Sequence, residues 1–202
     1  MNSTIQTLLG LGLLFAMGGC GSLPRIVVLH DPLTPEEHVQ LGVSYESQKD
    51  WDAAEKQYQA ALAQDPDFLP ALADLGNVYA HQEQYASAEK MYQRVLRHDP
   101  NHPMANNNLA WIYIAQGTHL AEAGERIDRA LANDPQHRAF YEDTRALLLL
   151  TLGQPGRAQA ASRRAETAAG SELPGFAQQH NETRSKIEAA TATRGSQGAE
   201  GP

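Results

Sequence analysis

Eight histidines, one cysteine and 24 acidic residues are the groups in this 202-residue chain from which a metal or nucleophilic centre would be built. His98 and His102 lie four apart, the spacing at which two imidazoles on one helix face hold zinc. Asp99-Pro100 stands between them, and the residue before a proline is pushed out of helical backbone, so the pair does not share a helix face. His102 and His137 each follow an Asp-Pro dipeptide at the same distance, which assigns them to interhelix loops. Cys20 is the sole thiol, so no intramolecular disulfide and no multi-cysteine metal site forms. No nucleophile turn, phosphate loop or His-Glu-x-x-His helix occurs. The carboxylates are scattered among basic residues. These patterns predict a non-enzymatic protein with no catalytic residues, no metal, no cofactor and no small-molecule substrate.

Charge narrows the partners. Lys and Arg number 16 against 24 Asp and Glu, a formal net charge of −8. The longest basic run is Arg163-Arg164, so a phosphate-backbone ligand such as nucleic acid is not expected. With 42% hydrophobic and 20% charged residues the chain is foldable, and its length suits one domain with a tail.

Residues 1–19 contain no charged side chain, and Leu8 to Met17 form an apolar block. The block is short and glycine-rich for a membrane span of about 20 residues, and its length suits the apolar region of a secretory signal. Gly18 and Gly19 precede Cys20. The box Met17-Gly18-Gly19-Cys20 resembles a bacterial lipoprotein signal, although Met replaces the commoner Leu and no Lys or Arg precedes the block. The resemblance implies cleavage before Cys20 and its lipidation. Because Gly21 and Ser22, not Asp, follow, it also implies an outer-membrane address, facing the periplasm.

Asp-Pro occurs at 31–32, 65–66, 99–100 and 134–135, four copies where chance predicts about half of one. The copies are spaced by 34, 34 and 35 residues, and the register between them repeats. Leu41-Gly42-x-x-Tyr45 returns as Leu75-Gly76-x-x-Tyr79 and as Leu109-Ala110-x-x-Tyr113. Ala54-x-x-x-Tyr58 returns as Ala88-x-x-x-Tyr92 and as Ala123-x-x-x-Ile127. The pattern resembles the tetratricopeptide repeat (TPR), a helix–turn–helix unit of about 34 residues. The resemblance implies an all-α, right-handed TPR solenoid of three clear units and one degenerate unit, at 35–68, 69–102, 103–137 and 138–169.

Local chemistry agrees. Thr34 caps, Pro35 takes the first helical position and Glu37 completes a capping box. Gly42 and Gly76 each cost about 1 kcal/mol in a helix relative to Ala, and their recurrence predicts close helix–helix approach. The second helices are expected to end near 64, 98 and 133. The third unit carries one extra residue between Gln116 and Glu122, at its turn. In the fourth, Arg145-Ala146 replaces the Leu-Gly pair and Ala158–Ala169 is the second helix. Residues 20–34 read as lipidated N-terminus and linker, with Ile26 to Leu29 an apolar run. Residues 170–190 read as a possible capping helix and 191–202 as a disordered tail.

In the TPR family the second, fifth, ninth, twelfth and thirteenth residues of a unit line a concave groove. By register these include Val39, Val43, Glu46, Asn77, His81, Asn107, Trp111 and Ile114, with Asp143 in the fourth unit. None of these positions is Lys or Arg, so a clamp for an acidic peptide terminus lacks its cations. The groove reads as apolar with two amides, Asn77 and Asn107, that can bond an extended peptide's backbone, while Trp111 either anchors a partner or fills space between units. Trp51 and Tyr85 are read as staples between turn and neighbour. The expected function is a lipid-anchored, protein-binding scaffold of the bacterial cell envelope, a build it shares with type IV pilotins and envelope-assembly adaptors. The alternative is an accessory subunit of an envelope peptidase or glycan hydrolase.

Overall fold

The structure is a computed structural model that describes residues 31–169 and 176–198, with side chains through 192. The chain divides into two compact units, Met1–Pro32 and Leu33–Pro202, and all the described helices belong to the second. The expected signal segment, Cys20 and the apolar run 26–29 lie outside the described residues.

Nine helices occupy the described residues: α1 (Pro35–Ser47), α2 (Trp51–Gln64), α3 (Leu69–His81), α4 (Tyr85–His98), α5 (Pro103–Gln116), α6 (Leu120–Asn133), α7 (Arg138–Thr151), α8 (Pro155–Ala169) and α9 (Phe176–Gly198). The first eight pair as helix–turn–helix units, α1/α2 to α7/α8, and each unit packs on the next.

The helix ends follow from side-chain chemistry. Thr34 Oγ1 accepts the Glu37 N–H, and the Glu37 carboxylate accepts the Thr34 N–H at 2.8 Å, the reciprocal capping box expected. Helices α2, α4 and α6 stop at Gln64, His98 and Asn133, and the Asp of each following Asp-Pro leaves helical backbone at φ −129°, −131° and −144°. Each of those carboxylates then accepts a backbone N–H two residues on, from Asp67, Asn101 and Gln136. The same dipeptide therefore ends a helix and folds the loop that starts the next unit.

The turns inside the units also share a plan. Lys49 (φ 61°), Glu83 (φ 59°), Gly117 (φ 67°) and Gly153 (φ 69°) take the left-handed conformation just after the first helix of each unit. In the third unit His119 adds a second left-handed residue (φ 49°), which accommodates the extra residue at the turn where it was expected.

Close approach is real at both repeated glycines. A Cβ on Gly42 would lie 2.4 Å from Cε1 of Tyr58, and one on Gly76 2.6 Å from Cε1 of Tyr92. The buried tyrosine rings of α2 and α4 thus lie across α1 and α3. The third unit places Ala110 and Ile127 at these positions, a larger residue on one helix matched by a smaller one on the other. The main core joins α3 to α7 through Leu72, Tyr92, Val95, Leu109, Ile112, Ile127 and Leu148. Toward α8 and α9 it becomes alanine-rich, with Ala146, Ala158 and Ala161 around Ile187.

Helix α9 packs on both α7 and α8, the place the first helix of the next unit takes on each earlier one. It runs past residue 190 to Gly198, so residues 191–198 are helical where a disordered tail was expected. Thr191 turns its hydroxyl back onto the Ile187 and Glu188 carbonyls, which removes the competition a threonine usually offers to helical backbone.

Candidate functional site

The tyrosine crossings decide what the concave face of the first helices looks like. With no side chain on Gly42 or Gly76, each ring passes over its partner helix and delivers its hydroxyl to that face. Tyr58 Oη donates to Glu46 Oε1 at 2.7 Å, and Tyr92 Oη donates to Asn77 Oδ1 at 2.7 Å. Asn108 Nδ2 donates to the same Asn77 oxygen at 2.9 Å, and Asn107 Nδ2 donates to Asn108 Oδ1 at 3.3 Å. A ladder of amides therefore runs from α3 to α5, with Tyr92 behind it.

The ladder leaves two groups unused. Asn77 Nδ2 has no hydrogen-bond partner among the described residues. Asn107 is 6% exposed, and its Oδ1 is buried without a partner among them. An unsatisfied buried acceptor costs about 1–3 kcal/mol. The unused donor and the buried acceptor stand on neighbouring units.

Next to the ladder sits Asp74, which has no ion pair or hydrogen bond among the described residues. Burial, and then the charge on Glu46, push its carboxyl up from the ordinary value near 3.8 to about 6. Burial also raises the Tyr58 and Tyr92 phenols, Tyr58 further through its hydrogen bond to Glu46.

The other groove residues separate into exposed and occupied. Val43 is 49% exposed and Met104 42%, the large apolar contacts on offer. Val39 is half-buried against Tyr58 and its neighbours. His81 is exposed but stacks on Trp51 at 4.3 Å, so one ring face is taken. Trp111 is partly buried in the main core and lies edge-on to Tyr85 at 6.1 Å, so it packs between units, while Trp51 and Tyr85 act as the interunit staples expected. Ile114 is only 9% exposed and belongs to the main core shared with Leu148 of α7. Asp143 is fully buried under α9, where it accepts from Thr183 Oγ1 at 2.9 Å and meets His180 Nδ1 at 2.8 Å. The fourth unit's share of the groove is thus closed by the chain itself.

The histidines have structural places. His102 caps α5 through Nδ1, and His137 meets Asp134 at 2.6 Å, both in interhelix loops. His98 faces Asp67 at 3.3 Å and does not meet His102 on a helix face. Among the described residues no three His, Cys, Asp or Glu side chains form a set that could hold a metal ion. No described helix is long and apolar enough to cross a membrane.

The sequence profile of the tetratricopeptide repeat matches residues 46–105 and again 81–148, half of the chain. The chain belongs to the tetratricopeptide repeat family. Among solved TPR structures, PilF of Pseudomonas aeruginosa superposes with a TM-score of 0.61 at 21% identity, covering 77% of this chain and 69% of that one. A thermophilic TPR protein from Thermus thermophilus gives 0.65 at 19% identity, covering 79% and 89%. The first TPR domain of Spaghetti, bound to the HSP90 peptide SRMEEVD, gives 0.51 at 18% identity over 56% and 89%. No curated protein sequence matches the chain.

Within this TPR stack the register named Asn77 and Asn107 but missed Asn108, Asp74 and the two tyrosine hydroxyls. A signal was present. Tyr58 and Tyr92 recur with the glycines they cross, and Asp74 and Asn108 are polar at one repeat position, next to the apolar Leu75 and Leu109. The TPR fold supports a protein-binding scaffold.

Proposed function

We propose that this TPR protein is a non-enzymatic scaffold that holds an extended or amphipathic segment of a protein partner on its concave face, and that it is anchored through lipidated Cys20 at the bacterial outer membrane, facing the periplasm. The observation that carries the groove reading is the unpaired amide set. Asn77 Nδ2 supplies a donor and Asn107 Oδ1 an acceptor, flanked by Val43 and Met104. A partner's peptide group, reached by a turn of the Asn107 side chain, satisfies both, and its apolar side chains cover the exposed Val43 and Met104. The groove residues named by register include no Lys or Arg, so salt has little to screen. The HSP90 peptide held by the Spaghetti domain is one example of what a TPR surface accepts. The anchoring reading rests on the Met17-Gly18-Gly19-Cys20 box.

Site-specific photo-cross-linking tests the groove. A photoreactive residue is placed at Val43, at Met104 and, as a control, at Lys90 of α4, and each variant is expressed in its native host. The expected result is one partner band shared by the Val43 and Met104 variants and absent from the Lys90 variant. Adducts from Lys90 alone, or no shared band, remove the groove from the function.

A further inference from the structure

A cleft of about 290 Å³ opens between α6, α7 and α8, lined by Gly124, Asp128, Arg145, Leu148, Leu149, Arg157, Ala160 and Arg164. It lies on the side of α7 opposite the concave positions, since Arg145 and Leu149 are each two residues, about half a helical turn, from Leu147. Three guanidiniums converge on it, although the chain carries −8 overall.

The same place in the two earlier interfaces is filled. Glu55 of α2 accepts from Tyr79 of α3 at 3.3 Å, and Glu89 of α4 accepts from Tyr113 of α5 at 3.2 Å. One interface on, this pair becomes Gly124 and Leu149, and both line the cleft. Arg145 stands where Leu75 and Leu109 fill the core. Glu122 and Glu125 of α6 give way to Arg157 and Ala160 of α8. The carboxylate that Glu55 and Glu89 supply is gone from this interface and Arg157 replaces Glu122, while Arg164 repeats Arg94 and Arg129 of the earlier units.

Packing does not ask for this glycine. A Cβ on Gly124 would meet only Leu148 Cδ2 at 3.6 Å, an ordinary contact, unlike the crossings at Gly42 and Gly76. A mid-helix glycine without such a reason is a cost of about 1 kcal/mol relative to Ala. The arginines are only partly committed. Arg145 pairs with Asp128, Arg164 holds Glu142 Oε2 through both Nε at 3.1 Å and Nη2 at 3.0 Å, and Arg157 bonds the neutral Gln154 amide at 2.6 Å with no acidic partner among the described residues.

We infer that this cleft binds a carboxylate of an acidic protein segment, in the space that the Glu55 and Glu89 carboxylates occupy in the earlier interfaces. The forked donors of Arg157 match a planar carboxylate, Arg145 and Arg164 add positive charge beside it, and Leu148 and Leu149 cover the methylenes behind it. The site is separate from the concave groove and differs from it in requiring charge.

The test follows arginine Nε–H signals of the full chain by NMR during titration with a hexaglutamate peptide. Hexaglutamine and inorganic phosphate serve as comparators. The expected result is saturable shifts confined to Arg145, Arg157 and Arg164, lost at high salt and absent with hexaglutamine. Gly124→Glu restores the residue of the first two units, so it is expected to fold, to occupy the cleft and to weaken hexaglutamate binding by roughly tenfold. Arg157→Gln breaks no ion pair and is expected to weaken it by a similar factor. Shifts spread evenly over all the arginines, unchanged affinity in both variants, equal binding of hexaglutamine, or binding of phosphate without hexaglutamate would each overturn the proposal.

Discussion

Tyr58 occupies the space that a side chain on Gly42 would need: a Cβ there would sit 2.4 Å from Cε1 and 2.7 Å from Cζ of a ring with no exposure. The glycine lets an aromatic ring from α2 cross α1, and the crossing carries a hydroxyl to the concave face. One contact thus links a sequence signature, an interhelix distance and the polarity of the binding surface.

Substitution at the crossings separates glycine's packing role from its helix propensity. Gly42→Ala and Gly76→Ala are expected to destabilise by about 2–3 kcal/mol, because the buried rings cannot withdraw without strain. Gly124→Ala, with no such ring above it, is expected to stabilise by about 0.5–1 kcal/mol. The pair Gly42→Ala with Tyr58→Ile copies Ala110 and Ile127 and should recover part of the loss. Urea denaturation of the four variants measures this, and a neutral Gly42→Ala contradicts it.

The carboxyl of Asp74 gives the fold a pH dependence of uncommon sign. With its folded value near 6 and its unfolded value near 3.8, the native state holds the proton longer. This contribution is therefore full below about pH 4, falls as pH rises to about 6 and is flat above that, by about 3 kcal/mol at most. Asp74→Asn is expected to be more stable than wild type at pH 7 and to lose the decline between pH 4 and 6. Parallel decline in both proteins by thermal denaturation would place the effect elsewhere.

Helix α9 is held by a buried His–Asp contact. His180 Nδ1 lies 2.8 Å from Asp143 Oδ1, its Nε2 lies 3.1 Å from Glu166, and Phe176 stacks on the ring at 4.9 Å. His180→Ala leaves Asp143 buried with one hydrogen-bond partner fewer and is expected to cost about 1–3 kcal/mol. Because each unit contacts only its neighbours, hydrogen exchange should rise in α7, α8 and α9 while α1 to α4 keep their protection. Uniform loss across the stack contradicts this.

Lipidation is decided by mass. Two or more acyl chains on Cys20 would hold the protein at a membrane, at about 0.8 kcal/mol per buried methylene. The mature protein is expected to carry acyl mass on an N-terminal Cys20, and Cys20→Ser should stay unprocessed or leave the membrane fraction. A cleaved chain with an unmodified Cys20 removes the anchor.

What the sequence disclosed was whatever is local. Asp-Pro sets a helix end through the proline ring and a loop through the carboxylate, both within three residues, so the ends at 64, 98 and 133 were readable. Thr34, Pro35 and Glu37 act within one turn. Residues of the groove were readable only as positions. Asn77 sits where the register puts it, but its oxygen is taken by Tyr92 and Asn108, the latter 31 residues away. Ile114 and Asp143 have concave register, yet Ile114 is buried in the main core and Asp143 is bonded by His180 and Thr183 of α9. Phe176, His180, Thr183 and Ile187 already recur at helical spacing, but two are polar, and their burial depends on meeting Asp143.

The seat that α9 takes against α7 and α8 is the one a fifth unit would need. Among the described residues α9 covers the stack at that end. Inserting a duplicate of residues 69–102 after residue 102 lengthens the stack through an interface it already uses, whereas units appended after α8 meet an occupied berth. Descendants of this chain with longer arrays would have gained their extra units from within, upstream of α9.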